Sequence, residues 1–100
     1  MDITDMFKRF NPNAKISVAE LYPYYDSAQS FYGKARVYIC DNDVFLVSYD
    51  TLVAFFNSTE MKPRVMGTYS ATTLRHIKEF LKQNGFKAET KKQIEKDYML

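Results

Sequence analysis

The sequence predicts an α+β fold: a four-stranded antiparallel β-meander, one main helix over about residues 71–84 packed on it, and short helices near both ends. Three observations carry this. Between residues 34 and 69 the apolar side chains follow a period of two in four short runs, as in half-buried strands. The links between neighbouring runs are short, which suits antiparallel pairs and leaves no room for crossover helices. Past Tyr69 the period becomes helical, and the residues mark both helix ends.

At the start of the chain, Ile3, Met6, Phe7 and Phe10 share one face of a short amphipathic helix, with Asp2 as its N-cap and "NPN" as its stop. A free helix of this length is marginal in water. It is therefore expected to dock, on the domain's own sheet or in a partner. In "KISVAELYPYYDSAQSFYGK", Ser17 and Glu20 have capping-box spacing, so one helical turn is expected there, ended by Pro23. The remainder reads as a tyrosine-rich loop holding Tyr22, Tyr24, Tyr25 and Tyr32.

The four strands are "KARVYIC", "VFLVSY", "TLVAFF" and "RVMGTY". "DND" at 41–43 makes the first turn and Asp50–Thr51 the second. The middle strands are apolar on both faces. One face is expected to carry the main helix, and the other to be covered by the terminal segments or by a partner. In that helix Ser70 caps the start, and Leu74, Ile77 and Leu81, flanked by Phe80, form the buried stripe. Gly85 and Phe86 supply a Schellman stop. In the tail, Thr90 and Gln93 form a capping box and Lys91 faces Glu95. Ile94 and Tyr98 are its only apolar pair, so a loosely docked or frayed helix is expected. The whole reads as one domain, 1–100: a core at 34–86, an N-terminal helix and Tyr-rich loop at 1–33, and a basic tail at 87–100.

Eight Tyr and eight Phe make up 16% of the chain, a content that disordered chains lack. Residues 1–50 hold five Lys/Arg and seven Asp/Glu, giving −2, and residues 51–100 hold nine and five, giving +4. The asymmetry points to an acidic or polyanionic partner for the second half. It falls short of the basic excess of a dedicated nucleic-acid binder. Cys40 is the only cysteine, so no internal disulfide ties the chain to an oxidising compartment. The first residues do not read as a signal peptide, and no apolar run is long enough to span a bilayer. The expected location is the cytoplasm, with no membrane partner.

The chemistry of catalysis is mostly absent. His76 is the only neutral-range base, at the edge of the buried stripe, and reads as a boundary residue with one hydrogen bond. Cys40 lies in a strand and reads as an inert thiol. Three scattered Gly build no phosphate loop, and the single Cys and single His make no metal site. No enzyme activity, metal or cofactor is expected. Three constellations remain. Tyr22, Tyr24, Tyr25 and Tyr32 form a candidate protein-binding segment, because tyrosine covers much area at low entropic cost. Arg75, Lys78 and Lys82 form a basic stripe. With the strand aromatics Tyr38, Phe45, Tyr49, Phe55 and Tyr69, of which Tyr38 and Tyr49 are the main stacking candidates, the stripe suits single-stranded nucleic acid. Thr72, Thr73, Arg75 and His76 are polar residues in the first turns that helix formation does not require. They read as a hydrogen-bond cluster or an anion site.

"LVSYDTLVAFF" followed by "GTYSATTLRHIKEFLKQNGF" resembles a small family of uncharacterised proteins carried by phages and mobile elements of gut bacteria. The resemblance covers Ala35 to Phe86 and rests on Tyr69 to Thr73, Arg75 to Ile77, Phe80 and Leu81. It implies a compact sheet-plus-helix domain and no activity. It leaves residues 1–33 and the tail outside the shared pattern. It also implies action by binding. The expected function is therefore a non-enzymatic module that binds a host or phage protein, of which an inhibitor of a bacterial defence system, such as an anti-CRISPR protein, is one form. The alternative is a single-stranded nucleic-acid binder. A sheet apolar on both faces also admits a homodimer, a second copy covering the open face.

Overall fold

Five strands, neighbours in the order of the chain, form one antiparallel sheet: β1 (Ile16–Glu20), β2 (Ala35–Cys40), β3 (Asp43–Ser48), β4 (Thr51–Asn57) and β5 (Arg64–Val65). Two helices follow, α1 (Ala71–Gln83) and α2 (Lys91–Tyr98). This computed structural model describes Arg9 and residues 12–13, 15–67 and 70–99. The apolar face expected at Ile3, Met6, Phe7 and Phe10 and the aromatic Tyr69 lie outside the described residues.

The four expected strands are present, and a fifth precedes them. Residues 16–20 do not start a helical turn. They pair in register with β2, from Ile16 opposite Cys40 to Glu20 opposite Arg36. Ile16 and Val18 are β-branched, and β2 offers an open edge, so ladder pairing outweighs a capping box with no helix behind it. The sheet thus begins well before residue 34, where the core was expected to start.

The second hairpin turn also falls one residue earlier than expected. β3 ends at Ser48, and Tyr49 and Asp50 both have positive φ, at 50° and 70°. Two successive left-handed residues between paired strands make a type I′ reversal, whose twist matches that of the strands. Tyr49 therefore leaves the sheet surface and projects from a turn.

The register sorts the side chains. Tyr38, Phe45 and Phe55 are cross-strand partners on one face. Ala35, Leu46, Ala54, Phe56 and Val65 belong to the core, with Ile77, Phe80 and Leu81 of α1. Phe56 is the hinge of this packing, with ring contacts to Phe80 at 5.7 Å and Phe86 at 5.2 Å.

Helix α1 forms as its residues dictate. Ser70 Oγ accepts from the Thr73 N–H at 3.2 Å. At the other end Gly85 has φ +83°, the Phe86 N–H donates to Leu81 O at 2.9 Å, and the Gly85 N–H donates to Lys82 O at 3.1 Å. These are the two bonds of a Schellman stop, satisfying carbonyls that the helix end leaves open. Helix α2 has its Thr90 cap, accepting from the Gln93 N–H at 3.1 Å. It is firmly docked and not frayed: Ile94 is fully buried, Tyr98 Oη donates to Lys87 O at 2.8 Å, and Met99 bridges Val65. Ile94 enters the main core, and Tyr98 and Met99 pack against it. Among the described residues no helix is long and apolar enough to cross a membrane.

Candidate functional site

On α1, the stripe at Leu74, Ile77 and Leu81 turns towards the sheet. Glu79 is two residues on from Ile77, about 200° around a helix with 3.6 residues per turn. The sequence thus places Glu79 on the solvent side, between Arg75 and Lys82. In the fold it is only 1% exposed. The tyrosine-rich segment between β1 and β2 folds over this far side of α1 and buries it.

The carboxylate of Glu79 organises that segment. Its Oε1 accepts from the backbone N–H groups of Tyr25 and Asp26, each at 2.9 Å. Its Oε2 accepts from Gln83 Nε2 at 2.7 Å, and the same amide reaches the Tyr22 carbonyl at 2.7 Å. Burial raises the pKa of Glu79, but the bonds from Gln83 and the backbone N–H groups outweigh it and leave the acid below its ordinary range. A buried carboxylate is tolerated only when its lone pairs are met in this way.

Asp26 adds a second tie. Arg75 grips it with Nε on Oδ2 at 2.9 Å and Nη2 on Oδ1, while Oδ1 also accepts from the Ala28 N–H at 2.9 Å. The Arg75 hydrogen bond is the main reason that the Asp26 pKa falls to about 2. The forked pairing fixes orientation as well as charge. Arg75 is thereby neutralised, and its place in a free basic stripe is lost. Lys78 and Lys82 remain on that face, and among the described residues neither enters a salt bridge.

With its backbone tied from below, the segment presents its rings outwards. Tyr22, Tyr24 and Tyr25 are 63%, 85% and 58% exposed, and Tyr24 and Tyr25 meet edge to face with centroids 5.7 Å apart. Between this segment and α1 lies an open groove of about 490 Å³ lined by Tyr25, Asp26, Ser27, Arg75, Lys78, Glu79 and Lys82. One of the loop tyrosines, Tyr25, and the helix lysines, expected to serve rival functions, thus border one groove. Tyr32 belongs elsewhere. It is exposed at φ 54° in the turn leading into β2, beside the hairpin tip, where the Tyr49 N–H donates to Lys34 O at 2.9 Å.

The polar cluster of the first turns divides. Thr72 is exposed, and Arg75 turns to Asp26. Thr73 and His76 turn inwards to Ser48, whose Oγ lies 3.0 Å from Thr73 Oγ1 and 2.8 Å from His76 Nδ1. His76 is not a boundary residue. It is 1% exposed, packed edge-on to Phe31 at 4.6 Å and beside Tyr49 at 5.8 Å. Burial and the nearby Arg75 charge lower its pKa, with Asp26 opposing. The ring is therefore neutral near pH 7. Ser48 Oγ thus bridges His76 Nδ1 and Thr73 Oγ1, with the direction of each bond following the ring tautomer. This chain of bonds ties β3 to α1 under a tyrosine lid. It is not arranged around an anion.

The two main stacking candidates do not share an open sheet face, since Tyr49 projects from a turn. Tyr38 is 3% exposed, so its ring offers no face to a base. Phe45 and Phe55 pack together at 6.1 Å. Cys40 is half-buried, and burial with Asp41 and Asp43 nearby pushes its thiol pKa up, away from the reactive thiolate.

These features define a small α+β protein whose distinguishing surface is an aromatic segment latched to the back of a helix. The chain belongs to a family of unknown function, DUF8033, matched over residues 19–96. The match reaches well before Ala35, so the tyrosine segment and its latch on α1 both lie within the family's domain. No curated protein and no solved structure matches the chain.

Proposed function

We propose that this chain is a non-enzymatic binding module, and that its contact surface is the Tyr22–Asp26 segment held on α1. One observation supports this most directly: three exposed tyrosine rings stand on backbone anchored by a buried carboxylate. A surface aromatic costs little to immobilise when its backbone is already ordered, so more of its contact area appears as affinity. The ring of Tyr24 has no need to be so exposed for folding.

The partner we propose is a protein. The likeness of the strands and α1 to phage and mobile-element chains makes a host protein the natural target. An inhibitor of a bacterial defence system, such as an anti-CRISPR protein, is the finer form of the proposal. Single-stranded nucleic acid is less favoured: Tyr38 is buried and Arg75 is committed to Asp26.

The test is selection of ligands from a random displayed peptide library on the immobilised full chain. Selected peptides are then measured against a variant carrying Tyr22→Ala, Tyr24→Ala and Tyr25→Ala. The variant is expected to unfold at the wild-type temperature and to bind at least about tenfold more weakly, as loss of aromatic anchors does. Undiminished affinity in the folded variant refutes this surface.

A further inference from the structure

We infer that the groove between the tyrosine segment and α1 receives an acidic segment of the protein partner, with a carboxylate seated at Lys78 and Lys82. This rests on the binding reading above and names the chemistry of the ligand.

The charges around the groove carry the argument. Five charged side chains line it: Arg75, Lys78, Lys82, Asp26 and Glu79. Three of them are satisfied within the fold. Asp26 holds Arg75 in a forked pair, and Glu79 takes two backbone N–H groups and the Gln83 amide. Lys78 and Lys82 are left, four residues apart on one helix face and outside every salt bridge among the described residues. Like charges at that spacing repel each other. A carboxylate between them relieves the repulsion and forms charge-assisted hydrogen bonds with both ammonium groups.

The same inventory argues against a phosphate chain. Three cations less two acids leave only one net positive charge around the groove. A polynucleotide presents a phosphate at every step, whereas the groove offers a single pair of unpaired cations. One or two carboxylates on a peptide need only the lysine pair. Tyr25 and the Ser27 hydroxyl then flank the peptide, and the Tyr25 ring shields the ion pair from water, which strengthens it.

The experiment is a titration of the ¹⁵N-labelled full chain with acetylated hexaglutamate, acetylated hexaglutamine and hexathymidylate. Hexaglutamate is expected to shift the amides of Tyr25, Ser27, Lys78 and Lys82 saturably, and to do so less as salt is raised. Hexaglutamine is expected to leave them in place. Lys78→Gln with Lys82→Gln is expected to remove the response while the unfolding temperature stays unchanged. The inference is overturned if hexaglutamate does not saturate, if its shifts fall only on the Lys91, Lys92 and Lys96 helix, or if hexathymidylate shifts the groove amides at lower concentration. The library-selected peptides separate the two readings. Binding lost on tyrosine replacement but kept on lysine replacement refutes the acidic ligand and leaves the tyrosine surface standing. Binding kept on both refutes both.

Discussion

The Glu79 carboxylate accepts from the N–H groups of Tyr25 and Asp26 across 54 and 53 positions of sequence. This relationship turns a loop into a defined surface. It links the packing of α1 to the placement of the exposed rings, so the helix that completes the core also presents the candidate site.

Replacing Glu79 by Gln tests that link. The amide keeps one acceptor oxygen and brings an NH₂ group towards N–H donors. A buried donor then goes unmet, at a cost of about 1–3 kcal/mol. Urea unfolding is expected to shift by that amount, and the Tyr25 and Asp26 amides are expected to lose hydrogen-exchange protection. Wild-type protection at both amides speaks against the latch.

Acid should release the second tie. The Asp26 pKa lies near 2 in the fold against an ordinary value of 3.8, and Glu79 is lowered as well. Between the unfolded and folded values the unfolded chain binds more protons, so stability falls as pH falls. The contribution of Asp26 is whole above about pH 4 and lost on approach to pH 2. Thermal unfolding followed across that window is expected to fall less steeply in Asp26→Asn than in the wild type. Equal slopes count against the pairing.

His76 titrates alone, since the chain holds one histidine. Its folded pKa is below the ordinary 6.5, so the unfolded chain takes up the proton first. This contribution to stability is present above pH 6.5 and is lost as pH falls through the lower folded value. The imidazole proton resonances are expected to report a midpoint below 6.5. Ser48→Ala removes the hydroxyl between Thr73 and His76 and is expected to cost about 1–3 kcal/mol, because it leaves a buried hydrogen-bonding group unmet. A His76 midpoint at or above 6.5 contradicts the buried geometry.

Ile94 decides whether the tail helix belongs to the core. It is fully buried on a helix that has little other apolar surface. Ile94→Ala is expected to cost about 2–5 kcal/mol, as large-to-small core changes do. An effect of a few tenths, measured by urea unfolding, would mean that α2 is peripheral.

Local grammar made much of the fold readable. Ser70, Gly85 and Phe86 act within one turn of themselves, through caps and a Schellman stop, so their roles can be read directly. The four strands at 35–65 carry their period in neighbouring residues. The same locality misled at Ser17 and Glu20, whose spacing suits a cap but whose backbone bonds go to β2. It also misplaced Tyr49, because choosing between adjacent two-residue turns depends on the pairing register of both strands.

The candidate site was readable only in pieces. The tyrosines at 22, 24 and 25 and the lysines at 78 and 82 stand out by type, but nothing local says that they share a surface. Glu79 was hidden by its position. On the helix alone it faces away from the apolar stripe, where an acid between Arg75 and Lys82 reads as a solvated charge. Composition, periodicity and capping residues specify an α+β chain with a well-bounded helix, because those signals act over a few residues. Which polar groups become buried, and which rings are held out to solvent, was set by a loop crossing the back of α1. That crossing rests on hydrogen bonds between residues 49 to 61 positions apart, a distance over which local sequence carries no information.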